Sequence, residues 1–285
     1  MFPQVLLNGI FSSSVYCMVS LGLTLILGVM DIADFAQGGI YMLGAFAAYF
    51  TAKGMGMGFV PSLFFAVAAA AAVGIINNVL VYQSVIRRGA NSLIAALGLL
   101  LIMQNLALLV FGPDYQTFQL PFGQEQLKIL GGTISYYKGV IILSAASLVP
   151  LVWLFLQKTR TGKAIRAISQ NREGAAIVGI GPERISIITF GMGAALVGLS
   201  GALVAPIYAF DAHFGSDTVV KAFTIVILGG MGSLRGAVVG SLLIGIGENM
   251  IAGYWSTEYS SLMTFFLLIM ILFVRPQGIF GSKAI

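Results

Sequence analysis

The sequence predicts an all-α integral membrane protein with eight or nine transmembrane helices, some of them broken or half-length. Of its 285 residues, 58% are hydrophobic and only 9% are charged, and the mean hydropathy is +0.97. Soluble domains carry about 25% charged residues, so this chain has too little charge to cover a water-facing surface. The composition argues against a soluble enzyme, a disordered chain and a nucleic-acid-binding protein.

Long charge-free runs identify the membrane segments, because one helical crossing needs about 20 apolar residues. These runs are 2–30, 35–52, 54–86, 89–113, 139–157, 185–210 and 259–274, with shorter ones at 222–234 and 236–247. The segment 218–231 is short enough to be a half-helix. The whole chain, 1–285, is predicted to form a single transmembrane domain.

The distribution of Lys and Arg predicts the orientation, since short basic loops stay in the cytoplasm. Arg87 and Arg88 share one loop, and six basic residues share the loop 158–184. This arrangement places the N-terminus outside and the C-terminus in the cytoplasm. The loop 113–138 is then external.

External residues are candidates for contact with a soluble protein. They lie in 113–138, with Tyr115, Phe118 and Phe122, and in 210–217, with Asp211, His213 and Asp217. Aromatic side chains also anchor membrane proteins at the interface, and both interpretations remain open.

An internal repeat is visible between residues 26–44 and 227–245, where seven of 19 aligned positions are identical. Both segments contain a helix end, a glycine-containing break and a new helix on the predicted cytoplasmic side. We therefore predict a parallel repeat about an axis along the membrane normal. Repeated, broken helices often mark transport pathways.

Polar and glycine residues at these breaks are candidates for the translocation path: Asp31, Asp34, Gln37, Gly229, Gly230 and Arg235. Asp34 and Arg235 occupy equivalent repeat positions with opposite charge. They either pair and gate the cytoplasmic mouth or are loop residues wetted at the interface.

Glu248 is a further path candidate because it lies inside the apolar run 236–253. An intramembrane carboxylate is costly unless it is paired or hydrated. It is either a functional residue or a hydrogen-bonded helix-packing residue. The amides Asn77, Asn78 and Gln104 are better explained by hydrogen bonds between helices.

The cytoplasmic loop 158–184 has apolar residues at helical spacing. This predicts two short amphipathic helices that meet near Gln170–Asn171, the second ending at Gly179. The basic residues suit a loop lying on anionic lipid. The small-residue run 173–176 followed by Gly179 favours a docking element for a soluble partner.

The pattern Glu173-x-Ala175-Ala176-x-x-Gly179 resembles the loop by which permeases of ATP-binding-cassette (ABC) importers seat their ATPase. From about residue 5 to 280 the chain resembles branched-chain amino acid permeases of the LivH type. The resembling stretches are 21–24, 32–38, 41–46, 162–167, 227–233 and 276–278.

This resemblance implies a type II ABC importer-like fold and a permease subunit in the inner membrane that carries branched-chain or related amino acids. It implies a second permease subunit, homologous or identical, two ATPase subunits and a periplasmic or extracellular substrate-binding protein. The residues expected to couple to the ATPase are Arg166, Glu173, Ala175, Ala176 and Gly179.

The chain itself is expected to be no enzyme and to hold neither cofactor nor metal. Gly162-Lys163 is not a phosphate loop, because Gln157 and Ala164 stand where Gly and Ser or Thr are required. ATP and magnesium are therefore expected in the partner subunits. The single Cys17 and single His213 also argue against a metal site.

One stretch departs from the family pattern. The usual Asn-Phe-Ala-His-Gly-Glu reads Asp34-Phe35-Ala36-Gln37-Gly38-Gly39 here, so the substrate is open. Alternatives are an ABC permease for urea or short amides, and an ion-coupled secondary transporter that uses Asp31, Asp34 and Glu248.

Overall fold

The computed structural model describes residues 1–117, 125–129, 131–275 and 277–281. These residues form twelve α-helices: α1 (Phe2–Met30), α2 (Gln37–Tyr49), α3 (Phe59–Ile76), α4 (Gln83–Arg87), α5 (Ser92–Phe111), α6 (Tyr136–Lys158), α7 (Arg160–Gln170), α8 (Arg172–Ile177), α9 (Pro182–Val204), α10 (Ser216–Gly229), α11 (Leu234–Tyr254) and α12 (Thr257–Val274). A π-helical turn at Phe50–Gly54 extends α2, and another at Asn77–Tyr82 joins α3 to α4.

Seven helices in the described residues are long and apolar enough to span a membrane. They are α1, the continuous helix Phe59–Arg87, α5, α6, α9, α11 and α12. Two shorter apolar helices, α2 and α10, have 13 and 14 residues and fall below that length. The 14-residue α10 coincides with the predicted half-helix, so the expected mixture of full and short segments is confirmed.

Helix α9 lies at the centre of the domain and is packed through small residues. Gly193 lies against the Gly22 carbonyl of α1, Gly198 against Ala70 of α3, and Gly201 against the Tyr41 carbonyl of α2. At each of these positions a Cβ atom would clash with its neighbour. Small residues let helix backbones approach closely where lipid provides no hydrophobic drive for association.

The outer surface carries the large apolar side chains instead. Phe64, Leu109 and Phe273 are 73%, 83% and 91% exposed. In water such a surface would be an aggregation hazard, but in a bilayer it faces hydrocarbon. The distribution confirms a multi-pass membrane domain.

The first helix break, residues 31–36, separates α1 from α2, and the second, residues 230–233, separates α10 from α11. Both breaks lie at the same end of the domain, which we call the break end. Helix α1 is followed by Asp31, which has a positive φ of 55°, and α10 is followed by Gly230, with φ 101°. Gly28, in the last turn of α1, lies against the Cα of Gly232 in the second break. The shared local architecture supports the predicted repeat, although the first break leads into the short α2 and the second into the full-length α11.

The opposite end of the domain carries a small β-hairpin that the helical pattern did not predict. Strand β1 (Gln126–Ile129) pairs with β2 (Gly132–Ser135) in antiparallel register. The Gln4 side chain donates to the Thr133 carbonyl at 2.8 Å and accepts from its backbone N–H at 2.8 Å. The start of α1 and strand β2 therefore lie together, away from the breaks.

Candidate translocation path and coupling element

Three helices bring a polar cluster together inside the domain. The hydroxyl of Tyr16 on α1 donates to Glu248 Oε2 on α11 at 2.7 Å. Lys221 Nζ on α10 lies 2.5 Å from Glu248 Oε1 and 3.2 Å from the Tyr16 hydroxyl. We call Tyr16, Lys221 and Glu248 the ion-pair cluster.

The two charged members of the ion-pair cluster differ in how far their side chains are exposed. The Glu248 side chain is 7% exposed, whereas that of Lys221 is 24% exposed. A buried carboxylate needs a partner, and the structure supplies both a cation and a hydroxyl donor. Glu248 is therefore paired. This pairing is compatible with both interpretations of the sequence, a functional residue and a hydrogen-bonded helix-packing residue.

Lys221 was missed by the sequence analysis. It lies 27 positions before Glu248, on a different helix, so no local spacing connects the two. Lys221 itself was the signal in the sequence, because it is a lysine inside the predicted apolar half-helix at 218–231. A cation within the membrane needs an anion nearby.

A second polar cluster surrounds Asp34, which is 1% exposed. Tyr82 donates to Asp34 Oδ1 through its hydroxyl, and the Ala36 backbone N–H donates to the same oxygen at 3.0 Å. Gln37 Nε2 donates to Oδ2 at 2.7 Å. We call Asp34, Gln37 and Tyr82 the Asp34 cluster.

The Asp34 cluster corrects both sequence interpretations of Asp34. Its side chain bonds to Tyr82 and Gln37 rather than pairing with Arg235, and it is buried rather than wetted. Arg235 is exposed at the start of α11. The repeat places the two residues at equivalent positions, but the six-residue connection before α2 folds Asp34 inward.

The remaining path candidates occupy the break end of the domain. Asp31 is exposed. Gly229 packs against Gly236 so closely that a Cβ would clash. Gly230, with its positive φ, packs against Gly281 of the C-terminal segment. These glycines therefore permit a tight turn between α10 and α11.

Two of the three intramembrane amides form the expected hydrogen bonds between helices. Asn78 Nδ2 donates to the Ser186 hydroxyl at 2.7 Å, and Gln104 Nε2 donates to the Ser216 hydroxyl at 2.8 Å. Asn77 is also buried, but its Nδ2 has no hydrogen-bond partner among the described residues, so the expectation is not met there.

The predicted pair of short helices is present as α7 and α8. Thr159 caps α7 by accepting from the Gly162 N–H at 2.9 Å, and Asn171 caps α8 by accepting from the Gly174 N–H at 2.8 Å. Side-chain caps of this kind fix where a helix starts. Ile165 and Ile168 of α7 are buried against the core, which fastens α7 to the membrane domain.

The predicted coupling residues fall into two groups. Glu173, Ala176 and Gly179 are exposed, whereas Ala175 is only 5% exposed. Arg166 lines a cavity between α1, α6, α7 and the second break, so it does not share the exposed surface of α8.

Two apolar residues beside the predicted set are strongly exposed. Ile177 and Val178 are 85% and 75% exposed at the end of α8. Together with Glu173, Ala176 and Gly179 they form what we call the α8 tip. Neither Ile177 nor Val178 is among the residues expected from the sequence to couple to the ATPase.

The candidate external surface is partly described. Tyr115 is 71% exposed, and His213 and Asp217 are exposed. The Asp211 carboxylate accepts from the His213 backbone N–H at 3.0 Å. Phe118 and Phe122 lie outside the described residues, as does Pro276.

Comparisons with known proteins agree with this architecture. The sequence model of the family described as "Branched-chain amino acid transport system / permease component" matches residues 5–272. The chain is 31% identical to the high-affinity branched-chain amino acid transport system permease protein LivH of Escherichia coli K12, covering 100% of this chain and 97% of that protein.

Two further relatives and one solved structure extend the comparison. BraD of Pseudomonas aeruginosa is 31% identical, with 100% and 97% covered. LivM of Escherichia coli K12 is 28% identical, with 93% and 67% covered. The structure "PsaBC from Streptococcus pneumoniae in complex with Fab" matches with a TM-score of 0.52 at 11% identity, over 96% of this chain and 92% of that one, and shows the fold alone.

The seven apolar helices agree with a multi-pass membrane protein, and the matched family and relatives identify a permease subunit of the ABC importer class. The chain belongs to the branched-chain amino acid transport permease family. Neither the urea or amide permease nor the ion-coupled transporter is favoured by these comparisons.

Proposed function

We propose that this chain is one permease subunit of an ATP-driven importer for branched-chain or related amino acids in the inner membrane. The names of its relatives support the substrate class. Escherichia coli K12 has both a LivH and a LivM permease that match this chain, which supports pairing with a homologous, non-identical second permease. Two ATPase subunits and an external substrate-binding protein complete the assembly.

The α8 tip is the observation that supports ATPase coupling. It presents exposed apolar groups, Ile177 and Val178, at the end of a short helix in the most basic loop of the chain. Exposed apolar residues on a polar segment mark protein-binding sites. With the basic loop in the cytoplasm, the N-terminus is outside and the C-terminus inside.

ATP and magnesium belong to the ATPase subunits in this proposal. Gly162 lies within α7 and packs against the backbone of Leu156 at the end of α6. Its N–H is used by the Thr159 cap, so it does not cradle a phosphate.

The mechanism follows from how α7 and α8 are attached. Closure of the ATPase dimer would move the α8 tip, and the buried Ile165 and Ile168 would transmit that motion to α1. The permease pair would then alternate between outward-open and inward-open states. The nucleotide supplies the differential affinity, and the permease supplies a two-state element.

Co-purification of the ATPase tests the coupling role. We expect Ala176→Trp, at an exposed position of α8, to lower the amount of bound ATPase about tenfold, as for a residue central to an interface. Lys163→Trp, on the exposed side of α7, is the matched control and should retain it. Equal retention by both variants would refute the α8 tip as the docking site.

Gly179 is a less selective test position. Its φ of +88° is unfavourable for any other residue, so a bulky substitution would strain the loop whether or not an ATPase docks there.

We also propose that the ion-pair cluster lies beside the translocation path, because Lys221 is the reachable member of a buried charged group. The Asp34 cluster and the glycines Gly229 and Gly230 would instead fix the breaks around which the helices move. Arg235 and Asp31 would lie at the cytoplasmic mouth.

Reconstituted uptake of L-leucine by the complete importer tests the path assignment. The double variant Lys221→Met, Glu248→Gln removes both charges without leaving either unpaired, and we expect the folded protein to lose most of its uptake. Lys138→Met, which removes another lysine of a spanning helix, is the control. Unchanged uptake by the double variant would assign the cluster to helix packing alone.

The departure from the family pattern bears on substrate selection. Gln37 is buried in the Asp34 cluster, and Gly39 lies against Met103. Both positions therefore act in packing at the start of α2 here. Identifying the ligand of the cognate binding protein, with L-leucine, urea and a short amide as probes, tests the substrate class.

A further inference from the structure

Three cavities at the break end of the domain share lining residues, and together we call them the depression. The first, of about 250 Å³, lies between α1, α6, α7 and the start of α11. The second, of about 580 Å³, shares Arg166 and Ser169 with the first. The third, of about 540 Å³, shares Trp153 and Arg235 with the first and continues along α6 and α11.

The first two cavities make up a basic crevice. The charged residues that line it are Arg166, Arg172, Arg235 and Asp31, so positive charge exceeds negative by two. Nε of Arg166 is buried and has no hydrogen-bond partner among the described residues. Ser169 and Ser233 also line this space. The Ser169 hydroxyl donates to the Arg166 carbonyl at 2.9 Å, whereas the Ser233 hydroxyl accepts from the Gly236 N–H and keeps its hydrogen for another acceptor.

The third cavity is an apolar groove. Apart from Arg235 at its mouth, it is lined by apolar side chains, among them Val149, Val152, Val238 and Phe280. The groove is lined by the membrane-spanning helices α1, α6 and α11. Trp153 stands where the groove meets the crevice and is 46% exposed.

We infer that this depression is a specific site for one anionic phospholipid, with its phosphate in the basic crevice and an acyl chain in the apolar groove. An anion needs several donors at the edge of the bilayer, which the three arginines and the Ser233 hydroxyl provide. An acyl chain needs a long apolar surface that continues from the same point. Basic pockets between transmembrane helices on the cytoplasmic side bind anionic head groups by this chemistry.

Neither half of the depression alone would require a lipid. A free phosphate would explain the crevice but not the groove, and a neutral lipid would explain the groove but not the excess of arginine. The combination favours phosphatidylglycerol or a related anionic phospholipid.

The location of the site gives it a role. Arg166 and Arg172 belong to α7 and α8, whereas Arg235 begins α11 after the second break. A phosphate held by all three would link the coupling element to the break. The inference does not depend on which amino acid is carried.

The two tryptophans of the chain allow a direct test in nanodiscs. The Trp255→Phe variant leaves Trp153 as the reporter inside the site. The Trp153→Phe variant leaves Trp255, which is 80% exposed at the far end of α11, as the matched control. Each is placed in phosphatidylcholine discs that contain a minority of brominated phosphatidylglycerol or brominated phosphatidylcholine, and fluorescence quenching is measured.

We expect brominated phosphatidylglycerol to quench Trp153 far more than brominated phosphatidylcholine, with a binding preference of about a hundredfold from three neighbouring arginines. Trp255 should show no such preference. Replacing Arg166, Arg172 and Arg235 by Gln should abolish the preference. Replacing Lys158, Arg160 and Arg184 by Gln removes the same charge from outside the cavities and should preserve it.

Three results would overturn the inference. One is equal quenching of Trp153 by the two brominated lipids. Another is loss of the preference in both triple variants, which would show a diffuse effect of loop charge. The third is full displacement of brominated phosphatidylglycerol by millimolar inorganic phosphate, which would identify the occupant as a free anion.

Discussion

Asp34 and Glu248 are both carboxylates buried in the helical domain, but their partners differ in charge and in access. Asp34 accepts from neutral donors, Tyr82 and Gln37, and is sealed at 1% exposure. Glu248 pairs with the ammonium of Lys221, whose side chain is 24% exposed. The first arrangement fixes the backbone at the start of α2, whereas the second retains a charged group that another molecule can approach.

The largest effect should come from opening the Asp34 cluster. Asp34→Ala leaves three donors without their acceptor, and the folded state should lose about 3 kcal/mol because each unsatisfied buried group is costly. Thermal unfolding of the purified protein measures this loss. Asp34→Asn, which keeps an acceptor oxygen, should lose less, and an unchanged unfolding temperature for Asp34→Ala would contradict the description.

A smaller effect is expected from breaking the ion pair on one side. Lys221→Met leaves the Glu248 charge unpaired, but the site is partly open, so we expect a loss of about 2 kcal/mol, below the range for fully buried pairs. The double variant Lys221→Met, Glu248→Gln should recover most of it. A double-mutant cycle with no coupling energy would show that the two residues do not interact.

Removing one tyrosine hydroxyl from each cluster tests the same comparison between Asp34 and Glu248. Tyr82→Phe removes a donor from a sealed carboxylate and should cost about 1.5 kcal/mol. Tyr16→Phe should cost less, about 0.5 kcal/mol, because Lys221 still neutralises Glu248. The reverse order, measured by thermal unfolding of both variants, would mean that the Glu248 environment is the more closed one.

The smallest effect should come from Arg235. Arg235→Gln removes an exposed residue and should change stability by less than about 0.5 kcal/mol. Because Asp34 bonds elsewhere, combining Asp34→Arg with Arg235→Asp should restore no more uptake than either single change. Restoration by the double variant would revive the gating pair.

Local signals in the sequence predicted much of the architecture. Apolar runs marked the spanning helices, and the short run at 218–231 marked α10, because span length is set by bilayer thickness. The α7–α8 element was also predictable, since Thr159 and Asn171 are cap-forming residues directly before the helical pattern.

The partners of the buried charges were not predictable in this way. Tyr82 lies 48 positions after Asp34, and Lys221 lies 27 positions before Glu248. Such contacts depend on how helices pack, which the glycines of α9 determine through close approach rather than through any charge pattern. The β-hairpin and the exposed Val178 at the α8 tip were missed for a different reason, since neither carries a strong periodicity.

The most direct test of the account is the accessibility of residue 177. Ile177→Cys is introduced with Cys17→Ala, which removes the single, buried native thiol, and sealed vesicles of each orientation are treated with a membrane-impermeant maleimide. We predict labelling from the cytoplasmic face alone and protection when the ATPase subunits are bound. Labelling from the exterior, or labelling that bound ATPase does not reduce, would contradict the proposal that this permease receives its driving force through the α8 tip.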